Sequence, residues 1–150
     1  VSYNQSIYQK IILEHNRSPK NFKQLENATH MCPGNNPLCG DHLTVYLIFK
    51  DDQIEDISFK GAGCAISKAS ASMMTEAVQG KKIEQAKELF ENLEDLFKQP
   101  RDNSNHEILG ELKVFENLKG TSSRIKCVTL AWKTLLGALE QKSEISTEKE

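Results

Sequence analysis

The chain has 150 residues and a formal net charge of −2, the length of one domain with a core large enough to stand without disulfide staples. Nearly balanced charge excludes a blanket of positive potential, so neither nucleic acid nor an anionic membrane surface is an expected partner. No apolar run approaches the roughly 20 residues of a membrane span and no basic-flanked apolar leader opens the sequence, so the expectation is a soluble cytoplasmic protein.

Ile7, Tyr8, Ile11 and Ile12 recur at one helical turn until Asn16-Arg17-Ser18-Pro19 stops them, which predicts an amphipathic helix over 7–15. Leu43, Val45, Leu47 and Phe49 alternate with Thr44, Tyr46 and Ile48, the period of a strand covered on both faces. Asp51-Asp52 then reads as a hairpin turn, Ile57 and Phe59 as a second strand ending at Gly61-Ala62-Gly63-Cys64, and residues 27–33 as a third. Ile66, Ala69, Met73 and Ala77 mark a helix that Gly80 can close. Ile83, Ala86, Leu89, Phe90, Leu93 and Phe97 mark another, with Pro100 as its stop and a surface excursion from Gln99 to His106. A short helical pattern through Leu112, Phe115 and Leu118 ends at Gly120. Thr121 or Ser122 can cap a final helix carrying Ile125, Val128, Trp132, Leu135 and Leu139. The order predicts an α+β fold, a small antiparallel sheet of about three strands packed on helices, over residues 1–140, with 141–150 a polar, flexible tail.

The chemistry concentrates in cysteine. Of Cys32, Cys39, Cys64 and Cys127, three occupy element ends and not mid-core positions. Cys39-Gly40-Asp41 precedes the strongest strand, where glycine allows a tight turn and a thiol and carboxylate two residues apart can face one point. Cys64 follows two glycines at a helix start, where free amides favour a thiolate. Cys127 falls in the first turns of the last helix, with the cation Arg124 three residues before it and Lys126 beside it. Together Cys39, Asp41, Cys64 and Cys127 supply the four donors of a tetrahedral soft-metal site, and an oxygen donor in place of a fourth sulfur or nitrogen suggests a site able to exchange ligands. Spacing alone leaves open the alternative of unrelated buried thiols, since no short C-x-x-C pair occurs. Cys32 lies outside the cluster and reads as an idle or buried thiol. His15, His30, His42 and His106 read as surface or capping residues, and the Met73-Met74 pair, Phe90, Phe97 and Trp132 as core.

The stretches Cys39-Gly40-Asp41, Gly61 to Ser70 and Arg124-Ile125-Lys126-Cys127-Val128-Thr129-Leu130-Ala131-Trp132, with His15, Pro19 and Asn21 near the N-terminus, resemble the IscU/NifU N-terminal family over most of residues 3–140. Within it the chain is similar to the SufU branch. Lys126 stands where cluster scaffolds of the IscU type carry a histidine, and Thr121 to Ile125 replace their chaperone-docking motif. The resemblance implies an iron–sulfur cluster assembly protein acting as a zinc-dependent sulfurtransferase. Its zinc ligands would be Cys39, Asp41, Cys64 and Cys127. Cys39 would be the sulfur acceptor, with Arg124 near the reaction centre. The implied partners are a pyridoxal-phosphate cysteine desulfurase of the SufS type and downstream cluster-assembly proteins. The alternative it implies is a scaffold holding iron or a [2Fe–2S] cluster on the same residues.

Overall fold

The computed structural model describes residues 5–98 and 106–148. In chain order these form α1 (Gln5–Arg17), β1 (His30–Asn36), β2 (Asp41–Lys50), β3 (Gln53–Ala62), α2 (Ala65–Val78), α3 (Ile83–Leu96), a 3-10 stretch (Glu107–Leu118), α4 (Ser122–Leu139) and β4 (Ile145–Ser146). The α+β expectation holds, with one strand more than expected: the sheet runs β3-β2-β1-β4, antiparallel except for its last pair. α4 lies against β1 and β2, α2 packs beside α4 and against β3, and α1 covers α2.

Alternation explains which sheet face is covered. Leu43, Val45 and Leu47 point into the core with Ile57 and Phe59 of β3, whereas Thr44, Tyr46 and Ile48 are only half-buried. Asp51 and Asp52 both adopt left-handed backbone, with φ of 53° and 62°, the pair of positive angles that lets a two-residue turn match the strand twist. β1 begins three residues later than the expected 27–33 and continues to Asn36. Its inward row is Cys32, Gly34 and Asn36, which carries no apolar alternation to read. Gly34 is required there by close approach: a Cβ would come within 2.0 Å of Thr134 Oγ1 on α4.

α2 ends where expected, with Gly80 left-handed at φ 80°. α3 buries Ala86, Leu89, Phe90 and Leu93. The expected stop at Pro100 lies outside the described residues. Thr121 is the N-cap of α4, yet its hydroxyl makes no capping bond, and the first turn is closed instead by its carbonyl accepting from Arg124 N and Ile125 N at 3.1 and 3.0 Å. Trp132 is fully buried and stacks on Phe90 with ring centroids 6.0 Å apart.

Two polar expectations need correction. His15 and His106 are buried, 8 % and 5 % exposed, not on the surface; His15 Nδ1 pairs with Ser72 Oγ at 2.7 Å. Ile145 and Ser146, in the segment expected as a free polar tail, pair with Gly34 and Asn35 of β1. The physical reason is the lone aliphatic residue of that segment: Ile145 packs against the core at Gly137, where a Cβ would stand 2.5 Å from Ile145 Cγ1. Among the described residues no helix is long and apolar enough to cross a membrane.

Candidate metal centre

β1 and β2 are joined by a four-residue turn, Pro37 to Gly40, in which Cys39 N donates to Asn36 O at 3.2 Å and Gly40 takes a φ of 71°. The turn leaves Cys39 exposed at the hairpin tip. Asn36 and Asp41 face each other across the first register of the hairpin, the last pair of its inward row, and both are buried, at 0 % and 2 % exposed. The sheet's core-facing side therefore ends in polar groups where the N-termini of α2 and α4 arrive.

Cys64 is the N-cap of α2, and its Sγ accepts from Ser67 N at 3.4 Å, so the thiol occupies the place an N-cap oxygen would take. Asp41 is held toward it: Oδ1 accepts from Cys64 N at 2.8 Å and Oδ2 lies 3.9 Å from Cys64 Sγ. Cys127, buried in α4, brings its Sγ to 3.4 Å from Cys39 Sγ. Donor atoms of Cys39, Asp41 and Cys127 all lie within 4.8 Å of one another, and Cys64 joins them through Asp41. Three of the four donors singled out in the sequence, Cys39, Asp41 and Cys127, thus lie within one metal-sized cluster, and Cys64 stands at its edge beside Asp41. Arg124 does not join them by contact. It is exposed on the first turn of α4, one turn ahead of Cys127, and its side chain forms no hydrogen bond or ion pair among the described residues. Lys126 pairs with Glu148 at 2.8 Å.

Burial pushes the Cys127 thiol upward, and the hydrogen bond with Cys39 and the neighbouring Cys64 and Asp41 push the same way. Crowding several anionic donors round a buried point is unfavourable without a cation, and a divalent ion removes that cost by displacing the thiol protons. Three sulfurs and a carboxylate form a donor set that fits zinc or iron and does not fit magnesium or calcium.

Sequence reading missed Asn36. Its Nδ2 donates to Asp41 Oδ2 at 3.2 Å and lies 3.5 Å from Cys127 Sγ, so one amide orients two of the donors. Its only sequence mark is a polar residue three positions before Cys39, which chemistry alone does not single out. Cys32 is buried beneath the sheet near Gly137 and takes no part.

The sequence matches the NifU-like N terminal domain over residues 7–127. It is 37% identical over 130 residues to the zinc-dependent sulfurtransferase SufU of Bacillus subtilis, covering 87% of each chain. It is 38% identical over 135 residues to the iron–sulfur cluster assembly scaffold protein IscU of Streptococcus pyogenes, covering 90% of this chain and 84% of that one. Among solved structures, a candidate iron–sulfur cluster assembly scaffold protein for the SUF system from Fervidobacterium islandicum superimposes with a TM-score of 0.81 at 36% identity, over 91% of this chain and 99% of that one.

Proposed function

Because the chain belongs to the family of the NifU-like N-terminal domain, we propose that it is a sulfur acceptor of iron–sulfur cluster assembly that takes persulfide sulfur from a pyridoxal-phosphate cysteine desulfurase of the SufS type onto Cys39. Cys39, Asp41, Cys64 and Cys127 hold a zinc ion in this reading. The observation that carries it is the contrast in exposure within one donor set: Cys39 is at the surface on a turn, whereas Asp41 and Cys127 are buried. One thiol can leave and meet a partner while the others stay fixed.

Bound zinc would keep the thiols deprotonated at neutral pH and hold them in place until exchange. The chemistry of transfer belongs to the chain. Cys39 swings out on the Pro37–Gly40 turn, and its thiolate attacks the outer sulfur of the desulfurase persulfide. A new S–S bond forms at Cys39, the old S–S bond breaks, and the desulfurase cysteine leaves as thiolate and takes up a proton. The Arg124 guanidinium stands on the exposed turn ahead of Cys127 and stabilises the anionic persulfide that forms. Downstream cluster-assembly proteins are the recipients.

A second reading has its own support in the relatives named as IscU scaffolds: the same donors would hold a nascent [2Fe–2S] cluster as cargo. Anaerobic purification separates the two. A colourless protein with one tightly held zinc supports transfer; a brown protein with stable charge-transfer bands and hand-over of the cluster to an apo-ferredoxin supports the scaffold and ends the first reading.

Asp41 as a ligand has a test in its neighbour. A Cβ at Gly63 would stand 2.6 Å from Asp41 Oδ1, and the carboxylate is tied by Cys64 N and Asn36, so it cannot yield without losing a bond. Gly63→Ala is expected to weaken zinc binding by about tenfold or more in competition with a chromophoric chelator. Unchanged affinity would remove Asp41 from the ligand set.

A further inference from the structure

The C-terminal segment does more than complete the sheet. β4 sets Thr147 beside the buried end of β1, where Thr147 N donates to Asn35 O at 3.0 Å and Thr147 Oγ1 to Asn36 Oδ1 at 2.9 Å. The amide's two ends are nearly the same shape, and the Thr147 hydroxyl at the oxygen end reinforces the orientation that Asp41 Oδ2 favours at the NH₂ end. With a hydroxyl donor at Oδ1, the NH₂ end must point at Asp41 Oδ2 and Cys127 Sγ. Turned the other way, the amide would set oxygen against carboxylate. Thr147 Oγ1 also lies 3.1 Å from Glu148 Oε2, and its single proton cannot serve both acceptors. Glu148 is partly exposed and already paired with Lys126 at 2.8 Å, whereas Asn36 Oδ1 is cut off from water, so the proton belongs to Asn36. Lys126 thus anchors the segment next to Cys127.

We propose that residues 145–148 form a strap in which Thr147 is a positioning residue for the metal centre, fixing the Asn36 amide so that it holds Asp41 and Cys127 in ligand geometry, with the Lys126–Glu148 pair fastening the strap. The inference rests on the metal-binding part of the function proposed above and deepens it: retention of the ion is set partly by a segment that supplies no ligand. A groove beside the Pro37–Gly40 turn is lined by Asn36 and Asp41 together with Glu144 and Ser146 of the strap region, so displacing the strap also opens the flank of the turn.

The test follows zinc leaving the loaded full chain to 4-(2-pyridylazo)resorcinol, with wild type, Thr147→Val, Thr147→Ser and Lys126→Ala in parallel and the melting temperature of each apo form as a second readout. Thr147→Val keeps the branched shape and replaces the hydroxyl with a methyl group. It is expected to release zinc about tenfold faster, Thr147→Ser to return to within about twofold of wild type, and Lys126→Ala to fall between them; Thr147→Val also leaves the buried Asn36 Oδ1 without its donor, so its apo melting temperature is expected to fall modestly and release is followed well below the lowest apo melting temperature. If Thr147→Val releases zinc at the wild-type rate, or if Thr147→Ser is as fast as Thr147→Val, the strap is an edge strand only and the proposal fails while the proposed function stands. If wild type retains no zinc, both fail together. If the release rates follow the expected order but no persulfide reaches Cys39, the strap stands and sulfur transfer falls.

Discussion

Cys39→Ala is expected to return the desulfurase to its unstimulated rate of alanine formation and to abolish sulfur acceptance, with the fold intact. The expectation follows from position. Cys39 is exposed at a hairpin tip and its recorded side-chain partner is Cys127 Sγ at 3.4 Å, so truncation opens no cavity. Surface changes of this kind stay within about 0.5 kcal/mol, and the apo protein should melt as wild type does. The chemical loss is complete by contrast, because alanine offers no sulfur to form the new S–S bond. Cys32→Ala is the control: that thiol is fully buried beneath the sheet and out of reach of a partner, so the variant should still accept sulfur. Normal persulfide transfer by Cys39→Ala would remove Cys39 from its role.

Asp41→Ala should produce the largest change in metal dependence. The carboxylate accepts from Cys64 N and Asn36 Nδ2 in a buried site, and deletion strands Cys64 N, at about 1–3 kcal/mol, and leaves Asn36 Nδ2 with Cys127 Sγ alone. Part of that cost is offset, because a carboxylate crowded by three thiols is itself costly to bury. The net effect on the apo protein is therefore smaller than the effect on the loaded one. Wild type at a free zinc concentration about a hundredfold above its Kd gains about 2.7 kcal/mol, and the variant at the same zinc should gain little. Asp41→Asn separates charge from hydrogen bonding. It keeps an oxygen for Cys64 N but turns an NH₂ toward the NH₂ of Asn36, so it should also lose the zinc-dependent rise in melting temperature. A zinc response preserved in both variants would show that three sulfurs suffice.

The fold was legible where apolar period and turn chemistry agree. Leu43, Val45 and Leu47 mark β2, Asp51-Asp52 marks its turn, and the Ala- and Met-bearing row of α2 marks its packed face. β1 starts later than the sequence pattern predicts because its inward residues are Cys32, Gly34 and Asn36, suited to close approach of α4 and to the site, so no hydrophobic alternation marks them. β4 was missed because two residues paired through backbone leave no periodic trace, and only Ile145 hints at burial. The same limit applies to the centre itself. Donor chemistry exposes Cys39, Asp41, Cys64 and Cys127 in the sequence. Asn36 and Thr147 act through geometry that the chain acquires only when β1, β2 and β4 are side by side. The sequence places Arg124 as a cation near Cys127, and in the fold it lies one turn away on the exposed end of α4 without touching the donors.

Peptide mass spectrometry of the zinc-loaded protein, after incubation with its cysteine desulfurase and cysteine, is the most direct test of sulfur acceptance. A gain of one sulfur atom is expected on the peptide carrying Cys39, removable by a thiol reductant, with none on the peptides of Cys32, Cys64 or Cys127. Sulfur on Cys64 or Cys127 with Cys39 unmodified, or on no cysteine of a protein that still stimulates the desulfurase, would contradict it.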